Sequence, residues 1–564
     1  MGIEGESIRM MDTIQEPTSR TVGAAPLFRQ MADEIGLVTL INGMVRWDAR
    51  QSAVSPGERI LVMILDVLAG KTPLYRLWER LTTTDLEILV GAGRRPQDFS
   101  DDSLGRALDK LARAEPVKVF STITAAAYAH EGLTLGTGHW DSTSRSVYGD
   151  FRNAVDGVHP AYGHSKDHRA DLKQILMTLF VNREGVPLFG TVTSGNQSDK
   201  TLNGDMIDRL TAALDPTQLQ QLIYVADSAL VTSANLTRLA DGAIRFISRC
   251  PDTFGATGAA KAAAWAADGW EAIGAVAQRA HAADYRASEQ SGVIGDRRYR
   301  LVVYRSTVPD QRHARAVDRD IEQQRRVLDQ AADAVRAQVF VCEADARQAL
   351  AYWLATTPRA WHHVSGDVQA ETRHARPGRP RTTPVDGDVI TTWRVAITVG
   401  AVDAARRQQA LERRSTFVLI TTVPREVLSA ADLLTEYKGQ VHVERHFHFL
   451  KDPLFVDALY VKKPERVEAL GYVLLMACLL YSLVERRVRA AEVAIPSPSR
   501  RVLKHPTGHE IVRHLESLQV VQGPAGTRTV ALPTIFHATL AAILDALHMP
   551  VTVFTDPPLR DSPA

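Results

Sequence analysis

The chain has 564 residues, a formal net charge of +1 at pH 7, 45% hydrophobic residues and 23% charged residues. This length exceeds what one hydrophobic core supports and predicts about three to four domains. The near-neutral charge excludes a uniformly basic surface, although a local basic groove is compatible with it. The three cysteines form no C-x-x-C pair, which argues against a zinc ribbon or a disulfide framework and favours a reducing cytoplasm.

The first part of the chain is predicted to be helical. Residues 1–24 are polar, contain no apolar run typical of an export signal, and are predicted to be a flexible tail. Over 25–131, apolar residues recur at three- and four-residue spacing, which predicts an all-α domain.

Residues 132–249 change in character and are predicted to form a mixed sheet covered by helices. Glycine, threonine and β-branched residues replace helix formers, and two strands are joined by a hairpin at 183–186. Helix and strand then alternate up to residue 249, as in domains that combine antiparallel and parallel strands.

The sheet is predicted to be interrupted before it is completed. Residues 250–415 mix alanine-rich and charged helices, a basic strand and a Pro/Gly/Arg loop, and are predicted to be an inserted α/β domain. A buried strand resumes at 416, and the segment 416–491 is predicted to complete the sheet domain. Its apolar run is shorter than the ~20 residues that span a bilayer and predicts a buried core helix. Residues 492–564 form a mixed C-terminal region.

The segment EYKGQVHVERHFHFLKDP, residues 436–453, concentrates unlike polar side chains in a predicted helix. At about 100° per residue, four of them fall within one stripe roughly 60° wide. They are Tyr437, Gln440, Glu444 and Lys451. A solvated helix face with a Glu–Lys pair is an equally available interpretation of this stripe.

Two aspartates follow apolar strand patterns and suggest a ligand site. Asp141 ends GHWD and Asp227 ends IYVAD, positions at the mouth of a sheet where α/β proteins usually bind ligands. A helix cap is the alternative role for either residue. If Glu444 joins them, the three carboxylates require a cation, and oxygen ligands select Mg²⁺ or Mn²⁺. Two such ions about 4 Å apart suit phosphoryl transfer.

The spacing of the helical stripe resembles a signature of bacterial insertion-sequence DDE transposases. In that group Tyr is followed after two residues by Arg, after three more by Glu and after six more by Lys; here Gln440 replaces the Arg. The segments DDSLGRALDKL (101–111), GHSKDHRADLKQ (163–174) and GNQSD (195–199) are also typical of it. The resemblance covers about residues 25 to 490 and points to the members with a long insertion before the glutamate.

The resemblance implies a multidomain α+β protein with a ribonuclease-H-like catalytic domain. Asp141, Asp227 and Glu444 would be the catalytic ligands of two Mg²⁺ or Mn²⁺ ions, and Tyr437 and Lys451 would hold DNA phosphates. The reaction would be hydrolysis at the 3′ ends of the element, followed by joining of the 3′-OH to target DNA. The family also implies double-stranded DNA as partner and a homodimer or higher synaptic assembly in the bacterial cytoplasm.

Weaker signals suggest further DNA contacts, each with an ordinary structural alternative. Arg379, between glycine and proline, resembles a minor-groove hook but also fits a charged loop. Trp393 could stack on an unpaired base, although a packing role is favoured. Three cations in 163–174 could bind DNA or support the sheet: Lys166, Arg169 and Lys173. The general alternatives are a nuclease without strand transfer and a non-catalytic DNA-binding protein derived from a transposase.

Overall fold

The computed structural model describes residues 18–69, 72–149, 151, 157–165, 169–276, 282–307, 311–358, 360–375, 389–440, 447, 449, 463–496, 502–523 and 526–558. The chain divides into two compact units. The first comprises Met1–Ser248, Thr421–Val423 and Leu433–Ala564, and the second comprises Arg249–Ile420 and Pro424–Asp432. The sequence of the second unit therefore interrupts that of the first, and the fold is multidomain α+β, as predicted.

The first unit begins with a short strand, β1 (Thr18–Thr21), at the end of the predicted tail. The helical region that follows confirms the predicted all-α segment. Its helices are α1 (Ala25–Glu34), α2 (Leu37–Met44), α3 (Pro56–Ala69), α4 (Leu77–Leu81), α5 (Leu86–Val90), α6 (Asp101–Arg113) and α7 (Pro116–Glu131). In α6, acidic residues occupy the first turn and basic residues the last, which matches the helix dipole.

The sheet of the first unit is mixed, as the sequence predicts. Its elements are β2 (Thr137–Val147), β3 (Lys173–Asn182), β4 (Pro187–Ser194), α8 (Asp199–Ala213), α9 (Pro216–Gln221), β5 (Ile223–Ala226), α10 (Ser233–Asp241) and β6 (Arg245–Arg249). The spatial order is β4-β3-β2-β5-β6. β2, β3 and β4 are antiparallel, whereas β2, β5 and β6 are parallel. Gly185 has φ +83°, which permits the predicted hairpin turn between β3 and β4.

The second unit contains both helices and strands, as expected for the insertion. Its elements are α11 (Gly255–Ala267), β7 (Glu271–Ala275), β8 (Asp284–Ile294), β9 (Arg297–Ser306), α12 (Gln311–Arg336), α13 (Glu343–Thr356), β10 (His362–His374), β11 (Val389–Val402), α14 (Ala404–Arg414) and β12 (Phe417–Thr421). Strands β12, β9, β8 and β7 are neighbours in that order. β10 and β11 form a separate antiparallel ribbon that packs against α12 and α13.

The chain ends with a long core helix and smaller elements. These are α15 (Ala430–Lys438), α16 (Pro464–Ala490), β13 (Ile495–Pro496), β14 (Val502–Leu503), α17 (Gly508–His514), β15 (Gln519–Gln522), β16 (Arg528–Ala531) and α18 (His537–Leu547). α16 is long and apolar enough to cross a membrane, but 94% of its most apolar window is buried in the protein. It packs against α1, α3, α6, α7 and β4. The predicted core helix is therefore confirmed.

Candidate active site

The register of two parallel strands brings Asp141 and Asp227 to adjacent positions. His139 on β2 is paired with Val225 on β5, and each aspartate lies two residues beyond this pair. The backbone of Asp227 is still extended, with φ −69° and ψ −177°. Since side chains alternate along a strand and neighbouring strands lie about 4.8 Å apart, both carboxylates belong to the same face of the sheet. Both residues are half-buried.

Local backbone amides orient the two carboxylates. Asp141 Oδ1 accepts a hydrogen bond from the amide of Ser142 at 2.7 Å. Asp227 Oδ1 accepts one from the amide of Ala229 at 3.0 Å and caps the short 3₁₀ turn Ser228–Leu230. The cap expected as the alternative role of Asp227 is therefore present. Because an ionised carboxylate offers about four acceptor sites, capping through one oxygen is compatible with a ligand role.

The helix that leads to the predicted glutamate is shorter than the sequence indicated. The sequence predicts one helix over 436–453, but α15 ends at Lys438 and residues 439–440 form a turn. The prediction that Tyr437 and Gln440 lie in one stripe of a single helix is therefore wrong. A Cβ added to Gly439 would lie 2.9 Å from Cε1 of His139 and 3.0 Å from the carbonyl oxygen of Glu436. The absence of a side chain lets this turn pack directly on β2, next to the aspartate.

Successive contacts carry this segment along β2 towards Asp141. The buried Glu436 pairs with Arg183, which follows the β3 residue paired with Gly138. Gly439 then lies against His139. Finally, Nε2 of Gln440 donates to the carbonyl oxygen of Trp140 at 3.4 Å, immediately before Asp141. The chain therefore reaches residue 440 beside the middle of β2, which continues past Asp141 to Val147, so the prediction that Asp141 ends its strand is wrong.

Several predicted site residues lie outside the described residues, namely Glu444, Lys451, Lys166 and Arg379. Within the described ranges, no group of three or more His, Cys, Asp or Glu side chains is arranged to hold a metal ion. This finding concerns the aspartates without Glu444, the third ligand that the sequence predicts. Tyr437 lies half-buried in the last turn of α15.

The other predicted DNA contacts are placed away from the two aspartates or already have partners. Arg169 is exposed and pairs with Asp171 at 2.8 Å, and this contact raises the pKa of the guanidinium. Lys173 begins β3 opposite Val147, at the far end of β2, with its ammonium 6.0 Å from the centroid of the Tyr162 ring. Trp393 on β11 packs against the hydrophobic cluster formed with α12 and α13.

The sequence patterns did not indicate the polar contacts behind the aspartates. Ser142 Oγ donates to Oδ1 of Asp199 at the start of α8, and the hydroxyl of Tyr224 donates to Oδ1 of Asn203 at 3.0 Å. Of the sequence motifs described above, GNQSD ends at Asp199 and is the one that includes a member of these contacts. The partners are separated by tens of residues, so no local pattern could have paired them.

Two family models match the chain. The family described as "Transposase DDE domain" matches residues 140–480, more than half of the chain, and this range includes the positions of both aspartates and of Glu444. The family described as "Domain of unknown function (DUF4277)" matches residues 18–125, in the helical region. No curated protein matches the chain.

Proposed function

The chain belongs to the insertion-sequence DDE transposases, and on this basis we propose that it binds the terminal inverted repeats of its own element, cleaves their 3′ ends and joins them to target DNA. The family acts on DNA and generally uses divalent metal ions. The observation that carries the proposal is the register of β2 and β5, which gives Asp141 and Asp227 adjacent positions on one face.

Glu444 is the proposed third ligand, and chain connectivity supports it. Gln440 contacts the residue before Asp141, and Glu444 follows it by four residues. Because the chain advances at most about 3.6 Å per residue, the Cα atoms of Gln440 and Glu444 are within about 14 Å of each other. Three carboxylates at one place would suit two Mg²⁺ or Mn²⁺ ions, because hard oxygen ligands favour these cations.

Both proposed steps are displacements at phosphorus. In the first step, water attacks the phosphorus next to the 3′ end of the element, and the 3′ oxygen of the element leaves as a hydroxyl group. In the second step, this 3′-OH attacks a phosphorus of the target strand, and the 3′ oxygen of the target nucleotide leaves. Bound divalent ions would neutralise charge on the attacking and leaving oxygens. The task of the chain is to hold the three carboxylates and the DNA ends in fixed positions, with Tyr437 and Lys451 as phosphate contacts.

The remaining DNA contacts and the assembly are part of the same proposal. The helical region 25–131 and the insertion would bind the element ends, with Arg379 contributing from the insertion, whereas Trp393 has the packing role that the sequence favours. Lys166, Arg169 and Lys173 would contact phosphates beside the sheet; exposure of Arg169 supports this role. Two ends must be joined together, so a homodimer or higher synaptic assembly in the bacterial cytoplasm, associated with the nucleoid when bound to DNA, is expected.

The test uses inverted repeats taken from the DNA that flanks the gene. Asp141→Asn, Asp227→Asn and Glu444→Gln should each abolish cleavage of a labelled end while preserving its binding in a gel-shift assay. Asp545→Asn removes an exposed carboxylate of α18 that has no proposed role and is the control, with cleavage retained. Continued cutting by any of the first three variants removes that residue from the site. Cleavage without transfer of a precleaved 3′-OH end would identify a nuclease instead.

A further inference from the structure

The face of the sheet opposite to the aspartates is tied to α8 through buried polar groups. Ser142, one residue after Asp141, donates from Oγ to Asp199 Oδ1. Tyr224, three residues before Asp227, donates from its hydroxyl to Asn203 Oδ1 at 3.0 Å. Asn203 Nδ2 in turn donates to the backbone carbonyl of Asp199 at 2.8 Å. One helix thus contacts both strands that carry the aspartates.

Ser142, Asn203 and Tyr224 lie in the protein interior, and Asp199 is half-buried. Ser142 is 1% exposed, and Asn203 and Tyr224 are fully buried. Burial raises the pKa of Tyr224 well above its ordinary value, so its hydroxyl stays protonated and donates at neutral pH. Breaking a hydrogen bond of a buried polar group is more costly than breaking an exposed hydrogen bond.

α8 also packs on the turn that follows the second aspartate. It contacts the 3₁₀ turn Ser228–Leu230, in which the amide of Ala229 donates to Asp227. Asn235 on α10 adds a hydrogen bond from Nδ2 to the carbonyl oxygen of Lys200 at 3.0 Å. The helix therefore supports β2 beyond Asp141, β5 before Asp227 and the 3₁₀ turn after Asp227.

We propose that Ser142, Asp199, Asn203 and Tyr224, the α8 network, are positioning residues that set the spacing of the two aspartates. This inference rests on the proposed function, because it assigns a role in metal binding to residues that cannot touch the metal. Side-chain alternation places Ser142 and Tyr224 on the face opposite to the carboxylates. Partners of this indirect kind commonly change metal affinity by 10- to 100-fold when removed.

The experiment measures Mn²⁺ affinity of the full chain by isothermal titration calorimetry, together with the thermal unfolding midpoint. Ser142→Ala and Asp199→Ala should weaken Mn²⁺ binding by about tenfold. Asp199→Asn keeps an Oδ1 acceptor for Ser142 and should bind Mn²⁺ as the wild type does. If Asp199 were itself a ligand, the asparagine variant would lose affinity as strongly as the alanine variant, which would overturn the proposal.

A matched control removes another buried hydroxyl pair from the same sheet. Thr178 and Thr191 share a hydrogen bond of 2.6 Å between β3 and β4, and Thr191→Val should lower the unfolding midpoint without changing Mn²⁺ affinity. Equal loss of affinity in this control would show a general stability effect and refute the network. Asp141→Asn distinguishes a failure of the proposed function from a failure of the α8 network. If Asp141→Asn binds Mn²⁺ normally, the proposed function fails. If it loses binding while Ser142→Ala and Asp199→Ala do not, only the network fails.

Discussion

Replacing Gly138 by alanine should disturb β2, the strand that carries Asp141, because the added methyl group would overlap a buried side chain. A Cβ at this position would lie 2.8 Å from Cε2 of Phe180 and closer still to Cζ and Cε1. Phe180 is 1% exposed and stacks on Tyr224, with 5.4 Å between ring centroids. The ring cannot move away without displacing a member of the α8 network.

The expected cost follows from the size of this overlap. Carbon atoms in contact are ordinarily about 3.5–4.0 Å apart, so the Phe180 ring or the strand must shift by roughly 1 Å or more. Overpacking of this kind costs about 1–3 kcal/mol in the free energy of unfolding. Phe180→Leu in the same chain should restore space, so the double variant should be more stable than the sum of the single effects predicts, by about 1 kcal/mol.

Hydrogen–deuterium exchange of peptides covering 137–147 gives the local free energy of opening of β2, and Mn²⁺ titration gives the effect on the site. Gly136→Ala is the matched control, because a Cβ at Gly136 meets no atom within 4 Å. Gly138→Ala should accelerate exchange and weaken Mn²⁺ binding, whereas Gly136→Ala should do neither. Additive effects of Gly138→Ala and Phe180→Leu, within about 0.5 kcal/mol, would refute the steric explanation.

Two further predictions concern a departure from the family signature and a pH effect. Gln440→Arg should leave cleavage intact and tighten binding to end DNA in fluorescence anisotropy, since arginine adds a charge-assisted fork; Gln440→Lys supplies charge without the fork, and weaker binding by the arginine variant would contradict the reasoning. Arg466 contacts both oxygens of Asp109, at 2.7 and 2.8 Å, and these hydrogen bonds lower the pKa of Asp109. Because the folded-state pKa lies below the unfolded value, the stabilisation is complete above about pH 4 and is lost as pH falls through the folded pKa. The difference in urea midpoint between wild type and Asp109→Asn should therefore shrink from neutral pH to about pH 3, and a constant difference would argue against the ion pair.

Local patterns were sufficient for most elements of the fold. The hairpin between β3 and β4 follows from two apolar strands and a turn that contains Gly185. The core position of α16 follows from an apolar run too short for a bilayer, and the mixed sheet follows from a hairpin succeeded by alternating helix and strand. In each case residues close in the chain determine the structure. The proposed boundaries of the individual domains stay predictions.

The interruption after α15 could not be predicted in the same way. A single glycine inside a helical pattern is tolerated at a cost of about 1 kcal/mol, so Gly439 alone did not indicate a helix end. What distinguishes it is its closeness to His139, and the neighbouring contact from Gln440 to Trp140 spans 300 positions of the chain. Such long-range contacts also determine the α8 network, which explains why its members were missed.

The candidate site depends on strand register as much as on its acidic residues. Because side chains alternate, a shift of one residue between β2 and β5 would move Asp141 to the face occupied by α8 while Asp227 stayed in place. Gly138, packed beneath Phe180, and Ser142, hydrogen-bonded to Asp199, oppose that shift from the far face of the sheet. Substitutions at these positions should therefore lower metal affinity while every proposed ligand is retained, and a search for site residues limited to carboxylates would overlook them.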